Sequence, residues 1–279
     1  EPSLTNLTTG TQSGSAAVQP PSRRIRRRHG LHASSLLPPS VQSGLQSLYD
    51  VAAALHAVTD TPEFIDETRE FLLDCIEQAL NGLVPEVEGP PTAFTASALT
   101  LYRQNPVLAQ HWALRLLQAA RRDVARPTCA TWSDLMLYAR YKAEPLGRAA
   151  LGLAGLQDEK IQKAADALTV ALLVLHLLRH CGDNWRLHGR CFLPTDWFAE
   201  EGGSPEQLVE RKSTPVTRRV IDRVIDRTER LIVTALPLPG LLEHPRPRPE
   251  APRLLVHARY QIAQLRQNDP LAKNLKTPF

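Results

Sequence analysis

A chain of 279 residues, 43% hydrophobic and only 5% aromatic, can bury a sizeable core in one large domain or two small ones, and its many Leu and Ala residues argue against an all-β fold. The net charge of +4 and a pI near 9.0 would suit a nucleic-acid partner, but residues 1–30 hold five arginines against one glutamate and carry the whole excess. The remainder is neutral, so no nucleic acid is expected as a partner.

Residues 1–30 mix Ser, Thr, Gln and Pro with the run RRIRRR at Arg23 to Arg28 and lack apolar periodicity, which predicts a disordered basic tail. Such a tail is either solvated or weakly drawn to anionic lipid, a route to peripheral membrane contact. Residues 31–279 are expected to form one helical domain. Apolar periodicity broken by Pro and Gly places helices near 41–58, 63–81, 92–104, 106–123, 131–154, 158–184, 205–211, 214–235 and 251–267, with no convincing strand. Thr131-Trp-Ser-Asp134 has the composition of a helix cap, and Thr217 to Leu231 alternates Arg and Asp on a solvent face. PLPGLLEHPRPRPEAP, between Leu236 and Arg253, reads as an irregular linker before the last helix. No run of about 18 uncharged apolar residues offers a membrane span. Cys75, Cys129, Cys181 and Cys191 are far apart, with no CxxC pair, which points to a reducing, cytoplasmic setting.

The chemistry-bearing stretch is LLVLHLLRHCGDNWRLHGRCFLP, from Leu172 to Pro194. On one continuous helix His176, His180 and Asn184, each four residues apart, point from the same face, and the apolar run before them predicts that this face lines a cavity. His176 and His180, with His56 opposite and Asp60 or Asp183 nearby, offer an imidazole set for Zn²⁺. Protonated histidines with Arg179 offer instead a metal-free anion site. A third reading is that these positions simply hydrogen-bond inside the cavity. Cys181 is adjacent to His180, and adjacent helical residues diverge, so the pair is not a nucleophile–base dyad. Arg121, Arg122 and Asp123 read as structural ion pairing.

The same stretch resembles the second aspartate-rich motif of the squalene/phytoene synthase family. There the positions of His180 and Asn184 are aspartates, that of His176 is usually asparagine, and a G-R-x-x-L-P segment follows; Gly189, Arg190, Leu193 and Pro194 match it. LLPPSVQSGLQSLYDVAAALHAVTDTP, from Leu36 to Pro62, resembles the family's first motif: Leu48, Tyr49, Asp60 and Pro62 match, while Ala53 replaces a phosphate-binding arginine and His56 and Ala57 replace two aspartates. TWSDLMLYARYKAEPLGRAAL, from Thr131 to Leu151, is similar to a segment of bacterial hopanoid-pathway squalene synthases, with Tyr138, Ala143, Pro145, Gly147 and Arg148 in place. HARYQIAQLRQNDPLA resembles the family's C-terminal helix, where Tyr260 stands at a tyrosine near the substrate.

The resemblance implies an all-α isoprenoid-synthase (terpenoid synthase) bundle around a central cavity. It also implies head-to-head joining of prenyl diphosphates, in which Mg²⁺ held by aspartates on two helices neutralises the departing pyrophosphate. Of those aspartates Asp60 survives, and Asp183 is one residue out of register, so any residual metal contact rests on these two. By the same resemblance Tyr138 and Tyr260 are the catalytic candidates, and His56, Asp60, Ala143, Gly147, His176, Arg179, His180, Asn184 and Arg190 the substrate-binding ones. Tyr138 has a second reading, as a buried tyrosine whose hydroxyl is satisfied. Loss of the carboxylates leads to the expectation of a catalytically degenerate homologue that binds a prenyl diphosphate, an isoprenoid lipid, a protein partner or an active paralogue. The alternative is an active transferase making squalene or phytoene precursors from farnesyl or presqualene diphosphate.

Overall fold

The computed structural model describes residues 39–86, 89–125, 128–242 and 250–272. The expected tail over 1–30, its arginine run and the middle of the proline-rich linker lie outside the described residues.

The helices are α1 (Pro39–Asp60), α2 (Asp66–Leu80), α3 (Pro90–Gln104), α4 (Leu114–Val124), α5 (Trp132–Leu153), α6 (Glu159–Arg179), α7 (Cys181–His188), α8 (Thr195–Glu200), α9 (Pro215–Ala235), α10 (Leu238–Leu241) and α11 (Glu250–Gln267). Among the described residues there is no strand, only an isolated bridge between Thr128 and Cys191. The fold is all-α, as expected.

Local sequence explains where the site helices begin. At α5 the Thr131 hydroxyl accepts from the Asp134 N–H while the Asp134 carboxylate accepts from the Thr131 N–H at 2.8 Å, a capping box that satisfies two N-terminal groups at once. At α6 the Asp158 carboxylate accepts from the Lys160 and Ile161 N–H groups. Nearly every residue of α6 from Ala164 to Leu178 is buried, because the helix runs between α5 and α9 and is covered by both. By length and composition it could cross a membrane although Lys163 and Asp166 interrupt its apolar run, but it is a mostly buried core helix of this bundle.

Four expectations are corrected. Residues 205–211 form a 3-10 turn at Pro205–Val209, and the start of the expected linker is the short helix α10. The segment 106–123 enters through a π-helical turn, Leu108–Ala113, before α4 starts. The expected helix 158–184 divides at His180, whose φ of −110° and ψ of 14° leave helical values although the His180 N–H still reaches the His176 carbonyl. Gly182, a poor helix former, lies just beyond, where a Cβ would stand 2.9 Å from the Leu271 side chain. The turn lets α7 pack against that C-terminal residue.

Two apolar clusters form the core. One gathers α1 to α4 with the second half of α5, and the other gathers α6, α9, α11 and the 191–198 segment around the first half of α5. Ala143 and Gly147 sit in the shared helix. Gly147 faces Thr169 of α6 so closely that a Cβ would lie 3.3 Å from its Cγ2. Gly147→Val is therefore expected to overpack the α5–α6 contact and cost about 2 kcal/mol in urea denaturation.

Candidate functional site

Between the two clusters lies a cavity of about 90 Å³. Its apolar wall comes from Leu55, Leu116, Ala120, Leu146, Leu173, Leu177 and Phe192, and its polar end from His56, Asp60, Asp123, Tyr138, Lys142, His176, Asn184 and Arg190. It holds on the order of half a dozen waters, so two prenyl chains do not fit without displacing the walls.

Two ion-paired assemblies make the polar end. In the first, Arg190, 5% exposed, donates from Nη1 to Asp60 at 2.9 Å, from Nη2 to the Thr59 carbonyl at 3.0 Å and from Nε to the Asp123 carbonyl at 2.9 Å. His56 Nδ1 stands 3.2 Å from the other Asp60 oxygen. Burial alone would raise the Asp60 pKa, but His56, Arg190 and Lys142 outweigh it and hold the carboxyl at about 2. In the second, Asp123, 1% exposed, accepts from the Tyr138 hydroxyl at 2.6 Å and from Lys142 Nζ, which also donates to the Tyr138 oxygen at 2.9 Å. Burial and the adjacent Asp123 carboxylate push the Tyr138 phenol well above its ordinary value, so it stays a neutral donor. Its ring packs 4.7 Å from that of Phe192.

Arg190, Asp60 and Asp123 also border an outer groove of about 860 Å³, rimmed by the exposed side chains of Ile65 and Leu187. The Arg190 assembly thus stands between groove and cavity. Asp60 makes stability pH-dependent. A carboxyl at about 2 when folded and about 3.9 when unfolded contributes about 2 kcal/mol above pH ~4, lost as the pH falls from ~4 to ~2. Asp60→Asn is expected to flatten the stability curve across that window in acid-titrated urea melts.

Of the residues singled out from sequence, His56, Asp60, Tyr138, His176, Asn184 and Arg190 meet at this cavity. His180 does not, since the break at its own position takes it out of the wall; its ring lies 4.6 Å from that of His176. Asp183 faces away, its side chain 59% exposed and paired with Arg186 at 2.8 Å. Tyr260 is 43% exposed on α11, and Arg179 is half-buried near it, both outside the wall. Ala143 and Gly147 serve helix packing. Sequence reasoning missed Lys142 and gave Asp123 a structural role, although Lys142 lies one helical turn beyond Tyr138. Arg121 does pair structurally, with Glu70, Asp74 and Glu77. Burial pushes the Cys129, Cys181 and Cys191 thiols up to about 12, so these cysteines are inert packing groups.

These donors do not fit Mg²⁺. The ion needs several oxygen ligands in near-octahedral array, and the two cavity carboxylates already neutralise Arg190 and Lys142, while His56, His176 and Asn184 supply imidazole and carboxamide. Among the described residues no three His, Cys, Asp or Glu side chains converge at metal-binding range, so the Zn²⁺ set read from the sequence does not assemble either.

A sequence model of squalene/phytoene synthase matches residues 27–277. The chain belongs to the squalene/phytoene synthase family. Among family relatives, the hydroxysqualene synthase of Rhodopseudomonas palustris is 27% identical over 243 residues, 87% of this chain and 81% of that one. The hydroxysqualene synthase of Zymomonas mobilis is 27% identical over 200 residues, covering 72% and 66%. The crystal structure of squalene synthase HpnC from Alicyclobacillus acidocaldarius superposes with a TM-score of 0.62 at 26% identity, over 88% of this chain and 92% of that one. The cavity sits where α1, α4, α5 and α6 converge.

Proposed function

We propose that this protein is a catalytically degenerate member of the squalene/phytoene synthase family that holds an isoprenoid chain in its central cavity and does not ionise a prenyl diphosphate. The observation that carries the reading is the neutralisation of Asp60 by Arg190 and of Asp123 by Lys142. Ionisation needs metal-bound carboxylates to compensate the departing pyrophosphate. Recruiting Asp60 to a metal would strand the buried Arg190 guanidinium, at a cost of about 3–5 kcal/mol. The apolar wall from Leu55 to Phe192 remains, and it supports chain binding. The buried, unpaired cysteines favour a cytoplasmic setting.

The second reading is an active transferase of the hopanoid branch, favoured by the hydroxysqualene synthase relatives and by the retained Tyr138. Pyrophosphate release from farnesyl or presqualene diphosphate, with Mg²⁺, Zn²⁺ or EDTA, separates the two. The binding reading expects release no faster than from an Asp60→Ala, Asn184→Ala control under every condition. Metal-dependent release at or above about 1 s⁻¹, an ordinary enzymatic turnover, would establish the transferase.

A further inference from the structure

We infer that the cavity accepts an isoprenoid with an uncharged oxygen head, an alcohol or carbonyl, in preference to the diphosphate ester of the same chain. The inference rests on the isoprenoid-binding reading above and names the head-group chemistry at that site.

Each carboxylate facing the cavity is already matched by a cation, Asp60 by Arg190 with His56 beside it and Asp123 by Lys142. Three of the five Arg190 N–H groups go to Asp60 and to the Thr59 and Asp123 carbonyls, and Lys142 gives one hydrogen to Asp123 and one to the Tyr138 oxygen. A diphosphate entering this end would have to pull Arg190 or Lys142 from its aspartate and leave that carboxylate buried without a counter-ion, a strongly unfavourable exchange. It would also bring its charges against the Asp60 and Asp123 carboxylates, whose ion pairing with Arg190 and Lys142 does not suit them to bridge a metal to the phosphates.

A neutral oxygen meets a different lining. An ammonium has three hydrogens, and the third of Lys142 makes no bond among the described residues. Asn184, half-buried in the same wall, makes no side-chain hydrogen bond among the described residues, so its carboxamide offers both an acceptor and donors. A hydroxyl can accept from Lys142 and donate to Asn184, and a carbonyl can accept from both. Neither disturbs an existing ion pair. The chain behind the oxygen then lies along Leu55, Leu116, Leu173 and Phe192.

Equilibrium dialysis of the full chain with tritiated farnesol and tritiated farnesyl diphosphate, with Mg²⁺ or with EDTA, tests this. Farnesol is expected to bind roughly a hundredfold more tightly than the diphosphate in either condition, the factor that disruption of a buried ion pair implies. Asn184→Leu, which keeps the apolar volume, is expected to weaken farnesol by about tenfold, the loss of one hydrogen bond to the head, and to leave retention of the hydrocarbon farnesane unchanged. Asp60→Asn, which releases Arg190, is expected to narrow the gap by strengthening diphosphate binding; circular dichroism of each variant verifies the fold. Diphosphate binding equal to or tighter than that of farnesol overturns the inference and leaves the isoprenoid reading standing. Retention of none of the three ligands by the folded wild type overturns both.

Discussion

Asp123→Ala is expected to destabilise the protein by about 3–5 kcal/mol in urea denaturation, the range for stripping one partner from a buried charge pair. Asp123 is 1% exposed and is the common acceptor for Lys142 and the Tyr138 hydroxyl. Its removal leaves the buried Tyr138 phenol and the Lys142 ammonium, whose side chain is 25% exposed, without their shared acceptor. Two further variants apportion the effect. Tyr138→Phe removes a single neutral donor and should cost about 1 kcal/mol, because Asp123 keeps Lys142. Asp123→Asn keeps an acceptor for Tyr138 but no charge for Lys142, and its cost should fall between the two. If Asp123→Ala cost no more than Tyr138→Phe, the Lys142 ammonium would be shown to reach water. The account of the cavity as charge-neutral would then fail.

The sequence announced the helices because their causes are local. The Thr131–Asp134 capping box and the apolar run of α6 depend on neighbours within a few residues, and motif segments such as Tyr138 to Arg148 keep their spacing. The site was less legible because its decisive bonds are not local. Arg190 and Asp60 are 130 residues apart in the chain, and nothing in either segment shows that they neutralise each other. A Gly189-Arg190 pair that matches the family motif invites a ligand-binding reading, whereas the folded chain commits that guanidinium to Asp60 and two carbonyls. The His176, His180, Asn184 face failed for a different reason: periodicity assumes a continuous helix, whereas the chain turns at His180, and the close approach of Leu271 to Gly182 involves a residue some ninety positions further on. Lys142 was the avoidable miss. A lysine four residues after a buried tyrosine shares its helical face, and the buried side of α5 was already evident from Leu135, Tyr138 and Ala139.

Arg190→Met, which keeps the aliphatic reach and removes the guanidinium, is expected to cost about 3–5 kcal/mol, because Arg190 joins three separate pieces of chain. Its bonds tie the end of α1, through Thr59 and Asp60, and the end of α4, through the Asp123 carbonyl, to the strand-like segment after α7. Part of this cost is charge and part is the two stranded carbonyls, and a double-mutant cycle with Asp60→Asn separates them. Asp60→Asn in the Arg190→Met background removes the unpaired carboxylate but not the carbonyl defects, so the double variant should recover about 1.5–3 kcal/mol relative to the sum of the single changes. The recovery should be largest near neutral pH and disappear below pH ~4, where the Asp60 of the Arg190→Met variant, deprived of its cation, takes up a proton. A coupling that stayed constant from pH 7 to pH 3 would show that Arg190 acts through packing alone. Because Arg190 forms the wall shared by the outer groove and the inner cavity, its loss should also speed isoprenoid entry without producing pyrophosphate release. An enzyme that used Arg190 to grip a diphosphate would behave otherwise, losing substrate affinity while its fold stayed intact.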